Sequence, residues 1–272
     1  MVLATPLRSS LGLSGEHDGL AVVDLRHPDA VESVLGRLHD GGDVPIVTCA
    51  AADEEAVRRL ITFTQIRYPG FRACLEPLPG TPLAVGVVSS LVDDLHGDDV
   101  FAWRLAALDL LRASLWSAVW LPSVTGLSTP TPSLFQHVRS WLPGSGFLAV
   151  AAPEPRVLPA RSAPVSGVEA RPDSALIHSP LTRPTWVVDA VAKAVQPQSV
   201  SAVETVREPI DVYGTEAAVE LVAVPVSFAS ASRPDSAAVV ACPACGVRHA
   251  RPTCPVCKMS AQPGRATQGA RP

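Results

Sequence analysis

Aromatic side chains are scarce in this sequence, at 5% of residues, so a core has to be built from Val, Leu and Ala rather than from rings. Lysine is almost missing, two against twenty arginines, a bias that fits a GC-rich bacterial genome rather than a function. Long hydrophobic runs are missing too. The most apolar stretch, 100–121, is broken by Arg104, Asp109 and Arg112, which excludes a transmembrane segment and fits an amphipathic helix. The first twenty residues have no continuous apolar core and carry Glu16 and Asp18, unlike a secretory leader. The expected location is therefore cytoplasmic. The sequence contains no GxGxxG, GxxxxGK or GxSxG motif, so neither phosphate cradling nor a nucleophile elbow is indicated. A non-catalytic protein is the expectation. The enzyme alternative places an unrecognised site at the strand ends of an α/β domain.

Acidic residues also run out. Residues 236–272 contain none, but hold Arg248, Arg251, Lys258, Arg265 and Arg271, while the remainder carries 17 basic and 26 acidic side chains. An acidic body thus precedes a basic end.

At 272 residues and 47% hydrophobic content the chain can form one medium domain with appendages. Apolar runs at 20–25 and 44–51 read as buried strands, and the patterns at 27–39 and from Asp53 read as helices. Residues 71–78 and 147–151 are further strand candidates, and 82–95, 100–121 and 133–142 are helix candidates. The expected fold class is α/β, with a mostly parallel sheet domain over 1–152. Seven prolines between 153 and 184 predict an extended linker. Residues 185–235 read as a small mixed β segment, with a helix at 186–195 and Pro225 marking an edge strand. A cysteine module over 236–262 and a disordered tail over 263–272 complete the expectation.

That module is the most specific signal. Cys242-Pro-Ala-Cys245-Gly is followed by Cys254-Pro-Val-Cys257. Each C-x-x-C can wrap one side of a metal, and four thiolates close a tetrahedral shell. Residues 240–258 resemble the bacterial zinc-ribbon family, whose pattern is CPxCG, a hairpin and CPxCG. Lys258 stands where a second glycine is usual. The resemblance implies Zn2+ held by Cys242, Cys245, Cys254 and Cys257, and binding rather than chemistry. His249, in the loop between the pairs, is expected to be exposed. Arg248 and Arg251 at the hairpin tip are the candidate partner-binding residues. The expected role is a scaffold or adaptor docking on a protein partner, and the alternative is a nucleic-acid-associated regulator. Base stacking lacks support because no aromatic follows Phe228. The same arginines could instead dock on the acidic main domain.

Two further clusters have plain readings. Asp93-Asp94-Leu95-His96-Gly97-Asp98-Asp99 reads as a solvated turn, with Asp98 or Asp99 capping the next helix. Asp24 and Cys49, at the ends of the first two strands, resemble a rhodanese arrangement. Cys49 is followed by three alanines and then Asp53, Glu54 and Glu55, which disfavour a thiolate. Cys49 and Cys74 therefore read as core.

Overall fold

The computed structural model describes residues 44–127, 129–142, 146–180, 184–203 and 209–260. The expected strand at 20–25, the helix at 27–39, Asp24 and the tail beyond 260 lie outside them. The described part is an α/β body built on two sheets, with a cysteine module at its C-terminal end.

The smaller sheet pairs β1 (Ile46–Ala50) in parallel with β2 (Cys74–Leu78), joined through helix α1 (Glu54–Arg67). Helix α2 (Pro82–Asp93) starts cleanly. Thr81 caps it by accepting the Ala84 amide, and Pro82 opens its first turn. Helix α3 (Val100–Ser114) follows, then β3 (Trp116–Leu121), every residue of which is buried. The expected single helix over 100–121 thus divides at Leu115, and the aromatic, β-branched run WSAVWL is a strand.

The large sheet also contains β4 (Phe147–Ala152), β5 (Arg156–Pro159), β6 (Ser174–His178), β7 (Ser199–Ala202) and β8 (Val219–Pro225), in the order β5-β4-β3-β8-β6-β7. The α/β class is as expected. Parallel pairing, expected for most of the sheet, occurs at β1–β2 and β6–β7, and the other ladders of the large sheet are antiparallel. The short turn between β4 and β5 leaves room only for a hairpin.

The expected linker and the separate 185–235 segment are corrected by this sheet. Strands β5 and β6 fall within 153–184, and β8 lies at the sheet centre between β3 and β6. The prolines avoid the ladder: Pro153 and Pro155 lie in the turn, Pro159 ends an edge strand, and Pro225 ends β8. A proline at a strand end removes no interior hydrogen bond, so a proline-rich stretch can still supply strands.

Alternation along β8 explains the layers. Val222 and Val224 join Leu83, Leu105, Leu108, Leu111 and Ile177 on the α2/α3 side. Val219, Leu221 and Ala223 join Trp116, Trp120, Leu148 and Leu176 beneath helix α5 (Trp186–Val195) on the other side. Successive side chains of one strand thus feed two cores.

Helix α4 (Leu134–Ser140), between β3 and β4, is inverted relative to this pattern. Its polar side faces the body: Gln136 Nε2 donates to Val157 O of β5 at 2.9 Å, and Ser140 Oγ accepts the Val124 amide at 3.1 Å. A reciprocal capping box between Ser133 and Gln136 holds its first turn. Leu134, Phe135, Val138, Trp141 and Leu142 are exposed, at 86, 71, 55, 75 and 55%.

Candidate metal centre and its arginine clamp

Two short strands, β9 (Val240–Ala241) and β10 (Arg248–His249), pair antiparallel and bring the two C-x-x-C loops together. The loops share one backbone pattern. The Cys242 amide donates to Val247 O and Gly246 returns a bond to Cys242 O; the Cys254 amide donates to Met259 O and Lys258 returns one to Cys254 O. Gly246 (φ 75°) and Lys258 (φ 62°) occupy the same left-handed position in the two loops. A lysine there costs roughly 1–2 kcal/mol relative to glycine. Lys258→Gly is therefore expected to stabilise the module by about 1 kcal/mol, read as a higher chelator concentration needed to open it. No gain would show that the bond from Lys258 Nζ to Pro255 O fully offsets the strain.

The four Sγ atoms lie within 4.8 Å of one another, with Cys242–Cys257 and Cys245–Cys254 each at 3.5 Å. A tetrahedron of thiolates about 2.3 Å from a central cation has edges of roughly 3.8 Å, so the donor set fits a metal ion. The separations are far from a disulfide's roughly 2 Å. Burial opposes charge on Cys242, but the amides of Ala244 and Cys245 and the neighbouring Cys257 outweigh it and hold this thiol down to about 6. Burial first, then the neighbouring thiols, pushes Cys245 up to about 12. A bound cation would draw all four thiols to the thiolate form. His249, expected to be exposed, is fully buried, and neither ring nitrogen meets a hydrogen-bond partner among the described residues. Its strand packs against α3 rather than projecting as a loop.

Arg248 and Arg251 face the chain's own body. Arg248 grips Asp99 at the start of α3 with Nε–Oδ1 at 2.5 Å and Nη2–Oδ2 at 3.2 Å. Asp99 stands at the cap position, but its carboxylate serves this arginine instead of the helix amides. Arg251 bridges two elements: its Nε and Nη2 donate to Asp109 of α3 at 3.0 and 2.7 Å, and its Nη1 donates to Glu76 of β2. Arg112 binds the same Glu76 at 2.7 Å and Asp109 at 3.1 Å. Two guanidiniums and two carboxylates thus form one neutral lattice. Glu76 is nearly buried, which alone would raise its pKa, yet the hydrogen bonds from Arg251 and Arg112 hold it below the usual carboxylate value. Arg72 adds a bond to Cys245 O at 2.8 Å, and Val256 packs against the main core. Glu76, Asp109 and Arg112 carry this clamp; sequence reading named Asp109 and Arg112 only as breaks in an apolar run and did not name Glu76. The signal available was the acidic body facing a basic end.

The remaining candidates do other work. Asp93 pairs with Arg104 at 3.3 Å, and His96 Nδ1 lies 2.7 Å from Asp94 O, so the 93–99 turn is tied down by its own neighbours. Cys49 and Cys74 are fully buried. Burial raises Cys49 to about 11 and raises Cys74 further, aided by Glu76, so neither is a nucleophilic thiolate at neutral pH. At the large sheet, Glu220 accepts the Leu83 amide at 2.7 Å, Thr81 N donates to Ser117 Oγ at 3.0 Å, and Ser179 Oγ accepts the Glu220 amide at 2.9 Å. These bonds fasten the first turn of α2, where a carboxylate is favoured. Among the described residues no helix is long and apolar enough to cross a membrane.

No family model matches the sequence, and no curated protein matches it. Similar solved structures cover 72% of the chain. One is a DegV family protein from Eubacterium eligens loaded with heptadecanoic acid (TM-score 0.46, 9% identity, 77% of that chain). Another is the Streptococcus pneumoniae Fatty Acid Kinase B3 protein loaded with linoleic acid (0.49, 11%, 76%). A third is a DegV lipid binding protein from Thermotoga maritima (0.47, 10%, 75%). The part of the chain for which the sequence suggested no family thus has named neighbours in fold. The scaffold or adaptor reading is corrected: its docking arginines are bound to Asp99, Asp109 and Glu76 of the same chain. The nucleic-acid alternative loses these two arginines as free cations, while Arg265 and Arg271 lie outside the described residues.

Proposed function

We propose that Cys242, Cys245, Cys254 and Cys257 hold one Zn2+ in a closed site of the zinc-ribbon kind, and that the module braces the α/β body from within the chain. The convergence of four Sγ atoms within 4.8 Å supports this reading. Zn2+ suits an all-thiolate tetrahedron and leaves no open position for a substrate. A reducing cytoplasm keeps such thiols available. Protein purified without added metal is expected to contain one zinc per chain by elemental analysis, and Cys245→Ser to lose it. Zinc-free wild type, or unchanged zinc in the variant, would end this reading.

For the body, the best-supported role is lipid handling, carried by the inverted helix α4. A helix whose polar side is bonded to the protein and whose apolar side faces outward marks an interaction surface. Heptadecanoic and linoleic acid are the ligands of two fold neighbours, but the reading rests on this helix and not on that likeness. Dodecanoate kept below its micelle-forming concentration is expected to shift the emission of Trp141, read as wild type minus Trp141→Ser. Absence of any shift with dodecanoate or lipid vesicles would remove lipid from the account.

A further inference from the structure

The four thiols of the metal centre are unevenly sheltered. Cys257 is exposed and Cys245 half-buried, whereas Cys242 and Cys254 are buried. The two contacts of 3.5 Å both run between the loops, and each joins an accessible thiol to a sheltered one: Cys257 to Cys242, and Cys245 to Cys254. An accessible thiolate beside a second thiol lets one sulfur meet an oxidant and the other resolve it. Cys49 and Cys74 have no such access, being fully buried. The same loops carry the clamp. Arg248 and Arg251 lie between the two pairs, and Val256, next to Cys257, packs against the main core.

Resting on the zinc reading above, we propose that the module is a peroxide-sensitive clasp: Cys257 takes the oxidant, Cys242 resolves it, and the disulfide they form releases the metal and loosens the clamp. Hydrogen peroxide is the co-reactant. The Cys257 thiolate attacks one peroxide oxygen. The S–O bond forms, the O–O bond breaks, and hydroxide leaves and takes up a proton to become water. The Cys242 thiolate then attacks the Cys257 sulfur. The S–S bond forms, the S–O bond breaks, and a second hydroxide leaves as water in the same way. The two sulfurs together give up two electrons, and one peroxide is reduced to two waters. To form this bond the 3.5 Å between Cys242 and Cys257 must shorten by about 1.5 Å. Only Cys245 and Cys254 then remain as donors, too few for a closed site. Drawing Cys257 inward pulls Val256 from the core and Arg251 from Glu76 and Asp109.

The test titrates the full, zinc-containing chain with hydrogen peroxide. About one zinc is expected to be released for each peroxide consumed, read with a chromogenic chelator. Trypsin cleaves after Arg248, between the two pairs, so the expected disulfide joins two peptides, and fragmentation should place it at Cys242 and Cys257. Cys49 and Cys74 should remain free for alkylation after unfolding. Hydrogen exchange in β2 is expected to quicken about tenfold on oxidation and to recover after dithiothreitol and zinc are added. A disulfide confined to one C-x-x-C loop would leave the peptides separate and overturn the proposed pair. Zinc-containing protein that keeps its metal under peroxide, or loses it with β2 unchanged, would overturn the clasp and leave the zinc reading standing. Protein that holds no zinc as purified would remove both together.

Discussion

Removing the metal is expected to destabilise the whole body and not only residues 236–260. A module that merely trailed on a tether would unfold alone. Here Arg251 reaches Glu76 of β2 and Asp109 of α3, Arg248 reaches Asp99, and Val256 touches the main core. Without a cation the four thiols cannot hold their loops, because folding of such a module is metal binding. Arg251 then withdraws from a carboxylate whose side chain is 7% exposed. Breaking such a pair costs about 3 kcal/mol, and a chain of this size loses roughly 2–4 °C of melting temperature per kcal/mol. Calorimetry should therefore show the main transition falling by about 10 °C in Cys254→Ser or after chelation. Hydrogen exchange should show protection lost from both the module and β2. A main transition that stays in place while metal is lost would show that the brace contributes nothing to the body.

Much of the secondary structure was legible, and the reasons are local. Thr81-Pro82 before an apolar run announces a helix start, and Trp186–Val195 carries helical periodicity over ten residues. The cysteine module was legible because metal spacing is written in consecutive residues. The errors came from long-range placement. Nothing punctuates the passage from α3 to WSAVWL, so the apolar run continued the helix on paper. The alternation of Val222 and Val224 identifies a strand but not its neighbours, so a central strand was placed at an edge. Helical spacing shows that Leu134, Phe135 and Val138 share a side of α4, not that this side faces outward. The clamp was the least legible part: Arg251 lies 142 residues from Asp109 and 175 from Glu76. Only the opposite charges of the body and the C-terminal end hinted at it.

Within the clamp, the substitution with the largest expected effect is Glu76→Gln. Glu76 is the carboxylate on which both Arg112 and Arg251 converge, and its side chain is nearly buried. The amide keeps the shape but leaves two partly buried guanidiniums facing a neutral acceptor. The expected loss is about 3 kcal/mol at neutral pH, measured by urea unfolding. Arg251→Met in the Glu76→Gln background should cost much less than in the wild type, because the two changes remove one shared interaction. The pH dependence has a definite sign. The arginines lower the Glu76 pKa in the folded state, so its contribution is fully present above the ordinary carboxylate value of about 4.3. It is lost as pH falls through the lowered folded value. Wild type and Glu76→Gln should therefore converge in stability on strong acidification, since a protonated Glu76 is nearly the amide's equal. A gap that is missing at neutral pH, or that persists in acid, would show that Glu76 does not anchor the clamp.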